Sequence, residues 1–260
     1  MSSGKRLERG WIMPSLAAVG AVLLVTIFAG RGPDRRPSCR SSLIPAYVPP
    51  DAVVDLVRQS SRARLIIVNP ASGPGAAAHP RYRNAVRAAQ AAGALVLGYV
   101  PTAYGARDPS QVRVDIDRYE AWYEVDGIFL DEASGGDEQL RYYRALSRNV
   151  RASGKRLVVL NPGVVPARGY FDIADIVVTF EGRSASYTEA LERMPAWLRQ
   201  IPRKRIAHLV YGSSRREAIA VVQAVAHVGY IYVTSGSPPN PWRTLPAYLQ
   251  EEEDLIGACS

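Results

Sequence analysis

The sequence predicts a (β/α)8 barrel, and three observations predict it. Beyond about residue 42, short β-branched or apolar runs alternate with helix-like segments, the signature of βαβ units and parallel strands. Eight such runs fill about 220 residues, close to the roughly 250 of a typical eightfold barrel. The Gly-rich phosphate loop of an open doubly wound sheet is missing. The first run ends "AYVPPD", and the "ASGPG" after the second is followed by no Lys-Ser/Thr, which excludes a nucleotide site there.

The runs are "LIPAYV", "RLIIVNP", "ALVLGYV", "DGIFLDE", "RLVVLNPG", "DIVVTFEG", "RIAHLVYG" and "GYIYVTSG". Between them lie the helices. "PPDAVVDLVRQSSR" starts on Pro-Asp and carries apolar Val53, Val54 and Leu56. "HPRYRNAVRAAQAAG" is Ala-rich and stopped by Gly93. Val112, Ile116 and Tyr119 share one face of "DPSQVRVDIDRYEAWYE". Leu140, Tyr143, Leu146 and Val150 do the same in the next helix, which stops at Gly154. The fifth, around Pro166–Asp172, is short and irregular. "SYTEALERMPAWLRQ" and "SSRREAIAVVQAVAHVG" follow, then a short acidic helix over Leu245–Leu255.

Charge divides the chain. The formal net charge is +8, but residues 1–40 hold seven basic against two acidic residues, leaving +3 for the rest. Interspersed charges on that body describe a solvated surface, so no nucleic-acid partner is expected. The basic tail 1–10 and linker 31–41 bracket 20 uncharged residues, Trp11 to Gly30. At about 1.5 Å per residue these span a hydrocarbon core of about 30 Å. An uncleaved transmembrane anchor is expected, since cleavage after Ala29 or Gly30 would place Ile27 or Phe28 where a small residue is needed. A signal peptide is the alternative. Either puts residues 42–258 at or beyond the membrane. Cys39 and Cys259 flank that body, and a disulfide could staple its ends outside the cell.

A parallel barrel gathers its working groups at the C-terminal strand ends. In order these are Tyr47, Asn69, Tyr99, Asp131–Glu132, Asn161, Glu181, Tyr211 and Thr234, whereas the N-terminal ends begin with Arg64, Arg156 and Arg205. Side chains alternate along a strand. Asp131 therefore groups with Phe129 and Gly127, and Glu181 with Thr179 and Val177, so both acids are expected in the mouth. Glu132 starts on the opposite parity and joins them only if the chain turns, which the following "ASGG" permits. Two carboxylates at one cleft push their proton affinities apart, so one can act as acid while the other stays ionised. Strands two apart put backbones roughly 10 Å apart. That leaves both the retaining separation of about 5–5.5 Å and the inverting one of about 6.5–9.5 Å open. Tyr47, Tyr99, Tyr104, Tyr211 and Trp242 offer rings for sugar faces. His208 is expected to be a buried, satisfied imidazole, and His79 and His227 to lie at the surface or at helix ends. A metal site on the acids is the lesser option.

The segments "IPAYVPP", "VNPASGPG", "GYVPTAYG", "VDGIFLDE", "VLNPG", "TFEG" and "YVTSGSPPNPWRTLPAY" occur in this order and resemble the spherulin-4 family over residues 42–250. The resemblance implies a (β/α)8 glycoside hydrolase, similar to endo-acting, retaining enzymes that cut α-1,4 bonds of a galactosamine-containing exopolysaccharide. It carries the catalytic acids onto Asp131, Glu132 and Glu181, with roles unassigned. One departure stands out: the family usually has acids after "YVT", and here Ser235 and Gly236 stand there. The expectation is a monomeric, extracytoplasmic hydrolase of an amino-sugar polysaccharide, tethered through residues 11–30, with no cofactor and no metal. Tyr47, Asn69, Tyr99, Tyr104, Asn161, Tyr211 and Trp242 are its expected substrate contacts. A carbohydrate-binding pseudoenzyme and a metal-dependent barrel hydrolase are the rivals.

Overall fold

The computed structural model describes Met1 and residues 40–59, 64–152, 154 and 157–257. The barrel lies in the unit Arg36–Ser260. The expected anchor at 11–30, Arg156 and both cysteines fall outside the described residues. Among the described residues no helix is long and apolar enough to cross a membrane.

Eight strands pair in parallel and in chain order. They are β1 (Ser41–Ala46), β2 (Arg64–Val68), β3 (Leu95–Pro101), β4 (Gly127–Asp131), β5 (Leu157–Leu160), β6 (Ile176–Arg183), β7 (Ile206–Tyr211) and β8 (Tyr230–Val233). β8 returns to β1, so the sheet has no free edge. Around it run α1 (Pro50–Gln59), α2 (Pro80–Ala91), α3 (Pro109–Tyr123), α4 (Leu140–Ala152), α5 (Tyr187–Glu192), α6 (Arg215–Ala224) and α7 (Leu249–Gly257). The link from β5 to β6 is a 3-10 turn, Arg168–Asp172, as the irregular sequence there suggests. The next helix is shorter than expected. It ends at Glu192, and a separate 3-10 turn covers Ala196–Gln200. Pro195 lies between them, lacking an N–H and disfavouring helix at Met194.

Register settles which face each strand residue uses. Gly98 faces α3 so closely that a Cβ there would lie 2.5 Å from the Tyr119 ring. Its neighbour Tyr99 therefore points inward, in register with Phe129, which pairs onward to Val159 and Ile176. Asp131 has the parity of Phe129 and is directed inward as expected. In β6 strict alternation fails. Val178 pairs with Ala207 and Phe180 with His208, leaving Thr179 as an extra bulged residue. The bulge resets the parity, so Glu181, in register with Leu209, turns inward without Val177, which pairs with Ile206 on the helix side. Phe180 instead packs outward on Tyr187, ring centroids 4.9 Å apart. His208 lies on that outer face, hydrogen-bonded to Tyr187 Oη (2.7 Å) and Thr179 Oγ1 (3.0 Å). Burial lowers its pKa to about 3, so the ring is neutral and structural.

The acidic last helix closes the seam. Glu253 of α7 pairs with Arg64 at 3.0 Å, both at most 2% exposed, and Glu252 accepts the Val233 N–H at 2.7 Å. Arg205 donates to the carbonyls of Phe171 and Ala174, tying β7 to the loop before β6. The basic strand starts thus serve the floor of the barrel. The tight β3–α3 contact gives a direct test. Overpacking costs about 1–3 kcal/mol, and about 2–4 °C accompanies each kcal/mol in a domain this size. Gly98→Ala is expected to lower the thermal midpoint, followed by circular dichroism, by roughly 2–12 °C. An unchanged midpoint would refute the contact.

Candidate active site

The mouth is built around one amide. Asn161, 5% exposed just beyond β5, receives the Gly163 N–H on its side-chain oxygen at 3.1 Å. That bond orients the NH2 group toward the acids. Nδ2 donates to Asp131 Oδ1 at 2.7 Å and to Glu181 Oε2 at 2.5 Å. The two carboxyl oxygens can be no farther apart than those distances end to end, about 5.2 Å. The backbones stand two strands apart, and the side chains close the gap by leaning inward.

Burial raises both carboxyl pKa values. For Glu181 burial comes first and the Asp131 charge second, and together they push it up to about 7. Asp131 is raised too, mainly by burial, but the Glu132 backbone N–H, Asn161 and Tyr99 donate to it and favour its ionised form. Glu181 has two such donors, Asn161 and the Trp242 indole. The environment therefore holds the proton preferentially on Glu181. Tyr99 and Tyr47 stay neutral, since burial and then the Asp131 charge raise both phenols strongly.

The aromatic rings form two walls. Tyr47 meets Tyr99 edge-on at 5.2 Å. Trp242 meets Tyr211 edge-on at 6.0 Å, and the Arg183 guanidinium lies 5.9 Å from the Tyr211 ring. Sequence reasoning missed Arg183, although it has the parity of Glu181 in β6. A groove of about 440 Å3 leads away from Glu181 between Gly163–Val165 and α5.

Glu132 turns as the small residues after it permit. Its φ of +51° is left-handed and takes it out of the strand. Its carbonyl accepts from the Tyr104 N–H (2.7 Å) and from Thr102 Oγ1 (2.9 Å), while Thr102 also binds the Asp131 carbonyl and Tyr143 Oη. The Glu132 carboxylate hydrogen-bonds no described residue, yet it is near enough to raise Asp131 and Tyr99 by its charge. Thr102 and Tyr143 hold this strained turn, and neither was legible as a site residue, because one reads as a loop and the other as a helix core.

Two expected contacts stand apart. Asn69 closes its own loop by accepting the Gly73 N–H at 2.8 Å. Tyr104 is 66% exposed at the rim, and its side chain makes no hydrogen bond or ring contact with the cluster. Thr234 is buried and accepts the Gly236 N–H at 3.1 Å. Among the described residues no group of three or more His, Cys, Asp or Glu is placed to hold a metal ion.

Comparison with known proteins bears on the family and the fold. Spherulin-4 of Physarum polycephalum is 32% identical over 234 residues, covering 83% of this chain and 70% of that protein. The crystal structure of Aspergillus clavatus Sph3 in complex with GalNAc superposes with a TM-score of 0.75 at 25% identity, over 86% of this chain and 99% of the other. A chitinase domain of Pyrococcus furiosus shares the fold, with TM-score 0.53, 12% identity and coverage of 86% and 97%. The profile of the spherulation-specific family 4 matches residues 43–256. The chain belongs to that family, and its body is a closed eight-stranded barrel of the glycoside-hydrolase-like kind.

Proposed function

We propose that this protein is a glycoside hydrolase that cuts an amino-sugar, galactosamine-containing exopolysaccharide from within the chain. The observation that carries the reading is the pair of inward carboxyls bridged by Asn161, at most about 5.2 Å apart. That limit is compatible with the roughly 5–5.5 Å of retaining glycosidases and falls short of the roughly 6.5–9.5 Å of inverting ones. GalNAc in the Aspergillus clavatus structure supports an amino sugar as the bound unit.

The asymmetry of the pair suggests roles. Asp131, with three donors, is the ionised nucleophile that attacks the anomeric carbon. Glu181, holding a proton, gives it to the departing glycosidic oxygen. As a carboxylate it then takes a proton from water, whose oxygen displaces Asp131 and leaves the free reducing end. Glu132 faces the sugar with its free carboxylate. Tyr47, Tyr99, Tyr211 and Trp242 supply ring faces and hydroxyls, and Asn161 holds the acids in register. Tyr104 meets the polymer at the exposed rim, while Asn69 orders its own loop. Residues 11–30 deliver the barrel to polymer outside the cytoplasm, as an anchor or export signal.

Glu181→Gln is expected to lower reducing-end release from partially deacetylated galactosaminogalactan by roughly a hundredfold or more, with polymer binding retained. If wild type and variant both bind and neither releases oligosaccharides, the barrel is a carbohydrate-binding module instead. The pH profile tests the role of the proton. Glu181 acts in its protonated form, so kcat/KM should fall as pH rises through about 7, with the acid limb set by Asp131. A rate still rising at pH 8 would reverse the assignment. The same group also sets a stability trend. A carboxyl whose folded pKa lies above its unfolded value makes the native state bind more protons between the two. Stability then falls as pH rises from about 4.5 through about 7. Thermal melts at pH 5 and pH 8 should show wild type losing more stability than Glu181→Gln. Equal losses would place the burial cost elsewhere.

A further inference from the structure

On the other helices most exposed arginines pair with carboxylates, Arg58 with Asp55, Arg81 with Asp51, Arg87 with Glu124, Arg113 with Asp117 and Arg215 with Glu251, with Arg216 of α6 the exception among the described residues. Helix α4 breaks the habit. Arg141, Arg144, Arg148 and Arg151 recur at spacings of three and four, a single exposed stripe opposite the buried Tyr143, Leu146 and Val150. It runs about 15 Å along the helix. Among the described residues only Arg151 of the four has an ion-pair partner, Asp175 at 3.2 Å. The stripe also has a concave flank. A groove of about 440 Å3 separates α4 from the turn before β6, lined by Arg144, Ser147, Arg148, Arg151, Asp172 and Ile173. Ser147 is spent on the Ile173 carbonyl at 2.6 Å. Asp172 is exposed, with no cation in ion-pair reach among the described residues.

We infer that this groove is a binding site for an anionic polysaccharide, separate from the barrel mouth. Guanidinium forks one helical turn apart suit a chain carrying one carboxylate per sugar residue, since each fork can take a carboxylate through two parallel hydrogen bonds. Asp172 decides between polyanions. In a basic groove a lone carboxylate repels phosphates and uronate carboxylates alike, but it accepts charge-assisted hydrogen bonds from sugar hydroxyls, which offset that repulsion only for a saccharide. A DNA strand or an anionic bilayer brings the charge with few such donors, and a bilayer surface is flat where this site is a groove. The inference does not depend on cleavage at the mouth. It gives the protein a second hold on a carbohydrate matrix.

The test uses the full-length protein in neutral detergent, with polygalacturonate as the probe and biolayer interferometry as the readout. Wild type is expected to bind it more tightly than single-stranded DNA or phosphatidylcholine/phosphatidylglycerol vesicles. Arg144→Ala/Arg148→Ala should weaken binding about tenfold or more, and Arg144→Lys/Arg148→Lys should fall between, because charge without the fork is retained. Arg199→Ala/Arg216→Ala, equal in charge change but outside the groove, should leave binding within about twofold. Asp172→Asn should weaken polygalacturonate binding and strengthen DNA binding. Unchanged thermal midpoints exclude misfolding, and the lysine pair carries the test if the alanine pair is unstable. The inference is overturned if wild type does not bind polygalacturonate, or if DNA or vesicles bind as well. It is equally overturned if the control pair loses as much, or if Asp172→Asn tightens both ligands.

Discussion

Two carboxyl groups are held against their own repulsion by a single side-chain amide. Asn161 can do this because its oxygen is engaged by Gly163, which fixes the direction of its NH2. Both acids are buried, and burial disfavours charge on either. The amide lowers that cost for both at once, and the unequal number of further donors decides which acid keeps the proton. The chemistry proposed for this mouth rests on that inequality. It would vanish if the three residues stood on one element, where they could not converge from three sides.

Closure of the barrel supplies the convergence. Asp131, Asn161 and Glu181 lie at the C-terminal ends of three successive strands or just beyond, and closure leans those ends toward one axis. The walls of the barrel are fixed from outside. Gly98 lets Tyr119 press α3 onto β3, and the Arg64–Glu253 pair and Glu252 dock α7 at the seam. The bulge at Thr179 matters equally. Were Thr179 paired in regular alternation instead of bulged, Glu181 would share the face of Val177, which belongs to the helix layer. One inserted residue therefore aims a buried acid into the cavity and leaves His208 outside, locked between Tyr187 and Thr179.

The α4 flank follows another logic. The mouth concentrates buried acids among aromatic rings, while the α4 flank concentrates exposed arginines around one acid. Buried charges are strongly shifted and demand partners, whereas exposed charges are cheap to leave unpaired until a ligand arrives. The two features present surfaces of opposite character to a carbohydrate matrix.

The sequence by itself determined the eightfold alternation, the order of the strands and the polar strand ends, because each follows from short-range periodicity and from Gly and Pro punctuation. It also determined Asp131, Glu181 and Asn161 as candidates, since strand ends are legible one strand at a time. Only the tertiary structure decided how these ends relate. The bulge in β6 is invisible in "DIVVTFEG", where alternation looks unbroken, because a bulge is a property of the pairing with β7. Trp242 reaches Glu181 from a long loop, Thr102 and Tyr143 pin Glu132 from two other elements, and Asn69 turns to its own loop. Those outcomes depend on distances between residues far apart in the chain. Local pattern carries no record of such distances until the barrel closes.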